Sequence, residues 1–185
     1  MKVIAMQTSP NEDGLTATMA QMALDGAAAA GAETELIHLC QVNLEACRQC
    51  ENGWGLCRRE GRCIIEDDFQ KVRECLGGTG ALVVSTPVYF GDLSERAKVF
   101  FDRLRRCERH SEKSALKGTP VLSIAAAGGG GGGGPTTLVS LERYYGVLGW
   151  PVFDSLIATR RSREYMLVAA RAAGEKLVGH VEGQK

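Results

Sequence analysis

Five times along the chain a short β-prone run gives way to a segment with helical spacing. This alternation narrows the folds open to it more than any other feature. The strand-like runs are residues 2–7, 34–39, 81–86, 120–126 and 152–158. The spacing predicts helices over 16–31, 68–76, 93–107, 136–148 and 162–179. In the third helix Ala97, Phe100, Phe101 and Leu104 fall on one stripe, and in the fourth Leu138, Leu141, Tyr145 and Leu148 do the same. The run Ala-Leu-Val-Val-Ser-Thr at 81–86 lacks the in-out alternation of a half-exposed strand, as a strand buried on both faces of a parallel sheet requires. Alternating strands and helices build a parallel sheet with helices on both faces. Right-handed crossovers then leave few topologies. The expected fold class is α/β, a three-layer doubly wound sandwich on a five-stranded parallel sheet of order 2-1-3-4-5.

At 185 residues the chain is sized for one domain, 1–185, with its own core. No apolar run approaches the roughly 18 residues of a membrane helix, and the opening Met-Lys-Val-Ile-Ala-Met-Gln enters a strand without a signal-peptide pattern. Lys and Arg number 22 against 22 Asp and Glu, a balance that argues against nucleic acid as a partner. A cytoplasmic protein with neither nucleic-acid nor membrane partners is expected.

In such a sheet ligands bind beyond the carboxyl ends of the strands, and three loops fall there. The first, 8–16, is rich in hydroxyls and opens a helix, whose free N–H groups and dipole attract anions. Thr8, Ser9 and Thr16 add hydroxyl donors, although a capped turn has the same composition. The second, 86–92, sets Tyr89, Phe90 and Gly91 at a strand end, where a flat conjugated ring could stack or the aromatics could simply cover the sheet. The third holds seven consecutive glycines, 128–134, which let backbone approach a ligand closely or form a connector that is costly to order.

Between the second strand and the second helix lies an insertion of 28 residues, 40–67, carrying five of the seven cysteines. Loops this long inside a domain are usually functional. An odd cysteine count in a cytosolic chain argues against a disulfide framework. Cys47, Cys50, Cys57 and Cys63 follow the spacing C-x2-C-x6-C-x5-C. Four thiolates from an irregular loop suit an iron-sulfur cluster. Zinc also accepts four cysteines but prefers two short knuckles, and free thiols are the third reading. Arg48, Arg58, Arg59 and Arg62 surround these cysteines and would stabilise thiolates, unless they form a solvated basic loop. Cys40, Cys75 and Cys107 lie in strand or helix patterns and read as core residues. His38, His110 and His180 pair with no nucleophile, and no side chain is assigned catalysis.

Several of these segments together resemble the flavodoxin-like FMN reductases, and within them the iron-sulfur flavoproteins. That family opens on Gly-Ser-Pro-Arg and Gly-Asn-Thr, which stand here as Thr8-Ser9-Pro10-Asn11 and Gly14-Leu15-Thr16. Its Ser/Thr-Pro-Val-Tyr-Phe/Trp-Gly motif stands as 86–91. Ala97, Lys98, Phe101, Asp102 and Arg103 resemble its Leu-Lys-x-x-Asp-Arg stretch, and the glycine loop before Thr136-Thr137 is shared. The resemblance covers roughly residues 1–155 and implies a flavodoxin-like fold with the cysteine-rich insertion after strand two. It implies that Ser9, Asn11, Gly14, Leu15 and Thr16 bind the FMN phosphate, that Pro87, Val88, Tyr89, Phe90 and Gly91 line the isoalloxazine, and that Gly128, Gly129 and Gly130 meet its other edge. Asn11 and Leu15 replace the family's Arg and Asn, so phosphate affinity would rest on backbone amides and hydroxyls.

The family's compact C-x2-C-x2-C-x5-C run holds a [4Fe-4S] cluster. This chain matches the outer intervals, adds four residues around 52–55, and continues with a similar Ile64-Ile65-Glu66-Asp67-Asp68. The resemblance thus implies Cys47, Cys50, Cys57 and Cys63 as cluster ligands and NAD(P)H as co-substrate. It also implies a small-molecule or protein electron acceptor and a homodimer or homotetramer. A cluster-free NAD(P)H:FMN or quinone reductase is the alternative, and a non-catalytic redox or metal-sensing module is another of a different class. Arg160, Arg161 and Arg163 could meet a 2′-phosphate or serve as surface charge at a helix start.

Overall fold

The computed structural model describes residues 1–109 and 114–183; His110 lies outside them. Five strands, β1 (Lys2–Gln7), β2 (Glu33–His38), β3 (Ala81–Pro87), β4 (Val121–Ala127) and β5 (Val152–Thr159), form one sheet. Its order is β2-β1-β3-β4-β5, every neighbouring pair parallel. The helices are α1 (Leu15–Ala29), α2 (Leu56–Arg59), α3 (Phe69–Leu76), α4 (Glu95–Glu108), α5 (Gly134–Leu148) and α6 (Arg163–Glu182). This is the flavodoxin-like α/β sandwich expected from the alternation. The four-residue α2 and a single 3-10 turn, Glu51–Gly53, were not foreseen, since both lie inside the insertion and are too short to carry a period.

Side-chain parity along the strands builds two cores. Ile4, Met6, Leu82 and Val84 face Phe69 and Leu76 of α3, Phe100, Phe101 and Leu104 of α4, and Leu141 and Tyr145 of α5. Val3, Ala5, Val83, Leu122 and Ile124 face the small residues of α1 and α6, among them Ala20, Ala23, Ala170 and Ala173. Every residue of β3 and β4 is buried, whereas the edge strands β2 and β5 are mixed. The continuous apolar runs thus mark the middle of the sheet.

The chain leaves β1 toward one edge and returns through β3 toward the other, which opens a crevice at the carboxyl ends of those strands. All three loops singled out from sequence meet there. Thr8 N–H donates to Ser85 O at 3.0 Å, and Val88 N–H to Ala126 O at 2.9 Å. The α4 N-cap Ser94 ties two loops together: its hydroxyl donates to Thr8 O at 2.9 Å and accepts from Ala97 N–H at 3.2 Å.

Candidate functional site

The first loop is ordered by its own polar groups. Gln7 is fully buried in β1, accepts the Ser9 N–H on Oε1 and donates through Nε2 to Asn11 O at 3.1 Å. Ser9 Oγ accepts the Asn11 N–H at 3.1 Å. Gly14 then enters α1 in extended conformation with no side-chain cap and no acidic residue in the first turn. The N–H groups of that first turn have no partner within the helix. These amides follow the carboxyl end of β1 with the helix dipole behind them, an arrangement suited to an anion, and Ser9 and Thr16 beside them are both buried. Asn11 packs under Gly14, where a Cβ would stand 2.9 Å from Asn11 Nδ2.

The second loop makes a tight turn. Tyr89 N–H donates to Asp92 O at 3.0 Å and Asp92 N–H to Tyr89 O at 3.1 Å. The two residues between, Phe90 and Gly91, both have positive φ, 52° and 80°. Such backbone suits Gly91 but strains an aromatic, at a typical cost of about 1–3 kcal/mol. The strained turn leaves Phe90 fully exposed and Tyr89 partly so. Burial raises the Tyr89 phenol above its ordinary pKa, Glu95 adds to this, and a hydrogen bond with Ser9 opposes it.

The glycine tract divides in two. At Gly128, Gly129 and Gly130 an added Cβ would meet nothing within 4 Å, so these three border open space. At Gly131 it would stand 2.5 Å from Thr159 Cγ2, at Gly133 2.6 Å from Gly91 Cα, and at Gly134 2.6 Å from Ile157 Cγ2. At Gly131, Gly133 and Gly134 the missing side chain is therefore a packing requirement, while Gly132 also borders open space. Thr136 Oγ1 closes the same contact, donating to Gly91 O at 2.5 Å.

The insertion is pinned by arginines of the helices beneath it. Arg96 donates to Leu44 O at 3.0 Å, Arg103 to Glu45 O at 2.9 Å and Arg73 to Gly61 O at 2.6 Å, while Arg106 donates to Gly53 O and stacks on Trp54. Asp67 and Asp68 accept the N–H groups of Glu45 at 2.8 Å and Asn43 at 3.0 Å. Within this frame Cys47, Cys50, Cys57 and Cys63 line one narrow cavity of about 20 Å³ with Arg48, Ile64, Ile65, Arg103, Arg106 and Cys107. All seven cysteines are free thiols. Among the described residues no three His, Cys, Asp or Glu side chains converge as a single metal ion requires. A tetrahedral zinc site would hold its sulfurs about 3.8 Å apart, from Zn–S bonds of about 2.3 Å. The four cysteines share one cavity lining, and four thiolates are the donor set that an iron-sulfur cluster takes.

Two sequence expectations change here. Three of the flanking cations are paired with carboxylates, Arg48 with Glu45 at 2.5 Å, Arg62 with Glu60 at 3.7 Å, and Arg59 with Glu51, and Arg48 also lines the cavity. Arg103 and Arg106 of α4 add positive charge at the cavity, and of these two the sequence singles out only Arg103, as part of the family stretch. Cys107, read as a core residue, is buried but also lines the cavity. Burial pushes its thiol up to about 12. Arg160 and Arg161 sit at the turn before α6, as a helix-start position predicts.

A family model of NADPH-dependent FMN reductase matches residues 1–162. An iron-sulfur flavoprotein of Methanocaldococcus jannaschii is 35% identical over 105 residues, 57% of this chain and 52% of that one. Another from the same organism is 30% identical over 125 residues, covering 68% of this chain and 61% of that one. An iron-sulfur flavoprotein of Methanosarcina thermophila is 28% identical over 103 residues, 56% and 52% of the two chains. The chain thus spans about half the length of the curated relatives it matches. Among solved structures, a flavone reductase aligns with a TM-score of 0.77 at 17% identity over 98% of this chain and 63% of that one. An NAD(P)H:quinone oxidoreductase from Methanothermobacter marburgensis aligns with a TM-score of 0.72 at 19% identity over 96% of both. These structures share the fold. With the family model covering most of the chain and the three strand-end loops meeting where its motifs require, the chain belongs to the NADPH-dependent FMN reductase family.

Proposed function

We propose that the chain is an FMN-dependent oxidoreductase that moves electrons from NAD(P)H or a protein donor to a small-molecule or protein acceptor. In this reading a [4Fe-4S] cluster is held by Cys47, Cys50, Cys57 and Cys63. The observation that carries the flavin reading is the joining of the three loops at the carboxyl ends of β1, β3 and β4, with open space over Gly128, Gly129 and Gly130. The first turn of α1, with Ser9, Asn11, Gly14, Leu15 and Thr16, would hold the FMN phosphate. Pro87, Val88, Tyr89, Phe90 and Gly91 would line the ring, and the three open glycines would let its other edge meet backbone. Bound FMN supplies the redox chemistry, so this chain needs no side chain as acid or base. Its work is to orient the ring and limit access to it.

The four-cysteine cavity supports the cluster reading, since its donor set matches four-thiolate ligation. Helix α4 connects the two regions: Ser94 anchors the first loop, and Arg103 reaches the cavity about 14 Å further along at 1.5 Å per residue. A flavin reductase without a cluster is the second reading, favoured by the four extra residues between Cys50 and Cys57. Exposed Val139, Val147, Tyr165 and Val168 on α5 and α6 support a homodimer or homotetramer. The flavin reading is tested by titrating the protein with FMN and following quenching of flavin fluorescence. Saturation at one FMN per chain is expected, and no quenching at micromolar protein would overturn it.

A further inference from the structure

Among the described residues Arg103 is the largest fully buried side chain, 1% exposed, and its partner Asp67 is 0% exposed at the side chain. Its four terminal N–H groups are all used. Nη1 donates to Asp67 Oδ2 at 2.5 Å and to Glu45 O at 2.9 Å. Nη2 donates to Asp67 Oδ1 at 2.8 Å and to Cys63 Sγ at 3.4 Å. The Phe69 ring lies beneath the guanidinium, 4.2 Å from Cζ. Asp67 is held in turn, accepting from the backbone of Glu45 at 2.8 Å and Phe69 at 3.2 Å.

A buried ion pair costs desolvation on both sides, and apolar residues of similar volume often replace one without loss of stability. Stability alone therefore gives little reason for a cation at this depth. The sulfur does give one. With a neutral thiol the Arg103–Asp67 pair already balances. When Cys63 is a thiolate, the fourth N–H becomes a charge-assisted hydrogen bond to it. We propose that Arg103 is a positioning residue of the four-cysteine site: clamped by Asp67, it fixes the Cys63 sulfur in the cavity and holds the negative charge that sulfur carries as an iron ligand. Of the other arginines lining the cavity, Arg106 is spent on Gly53 O and the Trp54 ring, and Arg48 pairs with Glu45.

This inference rests on the cysteines being cluster ligands, and the experiment separates the two. The full-length protein and its Asp67→Asn, Arg103→Lys and Arg103→Leu/Asp67→Asn variants are purified anaerobically. Iron is measured per chain, and the iron-sulfur midpoint potential is read by dye-mediated titration with dithionite. The reductant delivers one electron per cluster and no atom is transferred. Asp67→Asn leaves the Arg103 charge unneutralised against the sulfur and should raise the potential. Arg103→Lys and the double variant lose the donor to Cys63 and should lower it, the double variant without changing net charge. Each shift is expected at about tenfold in the one-electron equilibrium, about 59 mV. Iron-loaded variants whose potentials coincide with that of the native protein, or move in the opposite sense, overturn the proposal. Loss of iron from all three while circular dichroism shows them folded supports it, since the fold then survives without the pair and the sulfur site does not. Native protein without iron would instead overturn the cluster reading on which the proposal stands.

Discussion

At Gly133 a methyl group would stand 2.6 Å from Gly91 Cα and 2.8 Å from Val88 Cγ1, closer than any real Cβ contact. Gly133→Ala must therefore push the second and third loops apart. It should lower the melting temperature and weaken FMN binding at least tenfold by fluorescence titration. Gly129→Ala, with nothing within 4 Å, should keep the melting temperature and lose only flavin affinity; equal effects from the two would contradict the division of the tract. Asp102 offers a test by pH. Its carboxylate accepts from Lys98 Nζ at 2.5 Å, Tyr144 Oη at 2.9 Å and Arg105 Nε at 3.2 Å. Burial raises its pKa, but these donors outweigh burial and hold it below the ordinary value. A carboxyl depressed in the folded state gives stability that is complete above its unfolded pKa, about 3.9, and is lost as pH falls through the folded one. The stability gap between the native protein and Asp102→Asn, measured by urea denaturation, should be constant near neutrality and close below about pH 4. A gap that widens as pH falls contradicts this. The sequence displays seven glycines but cannot say which of them meet Gly91, Thr159 or Ile157, because those neighbours arrive from other loops and strands. For the same reason Cys107 looked like core: what places it at the cavity is the insertion folding over α4.

Helices α1 and α6 approach backbone to backbone. A Cβ on Gly174 would land on the Ala23 carbonyl oxygen, and one on Gly26 on that of Arg171. Gly174→Ala should cost about 1–3 kcal/mol, as overpacking does. That lowers the melting temperature by about 2–4 °C per kcal/mol for a chain of this size. Because this contact lies on the sheet face opposite the cysteine cavity, the iron content of Gly174→Ala should equal that of the native protein. Strands and long helices were readable in the sequence to within a few residues, since apolar period and Gly or Pro boundaries are local signals. The path of 40–67 was not, because it is written in long-range bonds from Arg73, Arg96, Arg103 and Arg106 to carbonyls of the insertion.

Over the whole molecule, the sheet order and the crevice at its carboxyl ends follow from alternation and handedness, and so were legible before any contact was known. The site had two degrees of legibility. The flavin loops were visible because motif and topology agree on their place. The cysteine site was visible as spacing alone, and the shared cavity is what joins its four members. Among the described residues no helix is long and apolar enough to cross a membrane. We propose that one flavodoxin-like domain carries two separable redox sites, a flavin crevice and a four-cysteine cavity. The most direct measurement is iron, acid-labile sulfide and FMN per chain in anaerobically purified native protein and in Cys57→Ser. About four iron, four sulfide and one FMN are expected in the native protein, with iron and sulfide lost and FMN kept in Cys57→Ser. Native protein that binds FMN without iron, or a variant that loses both groups together, would contradict it.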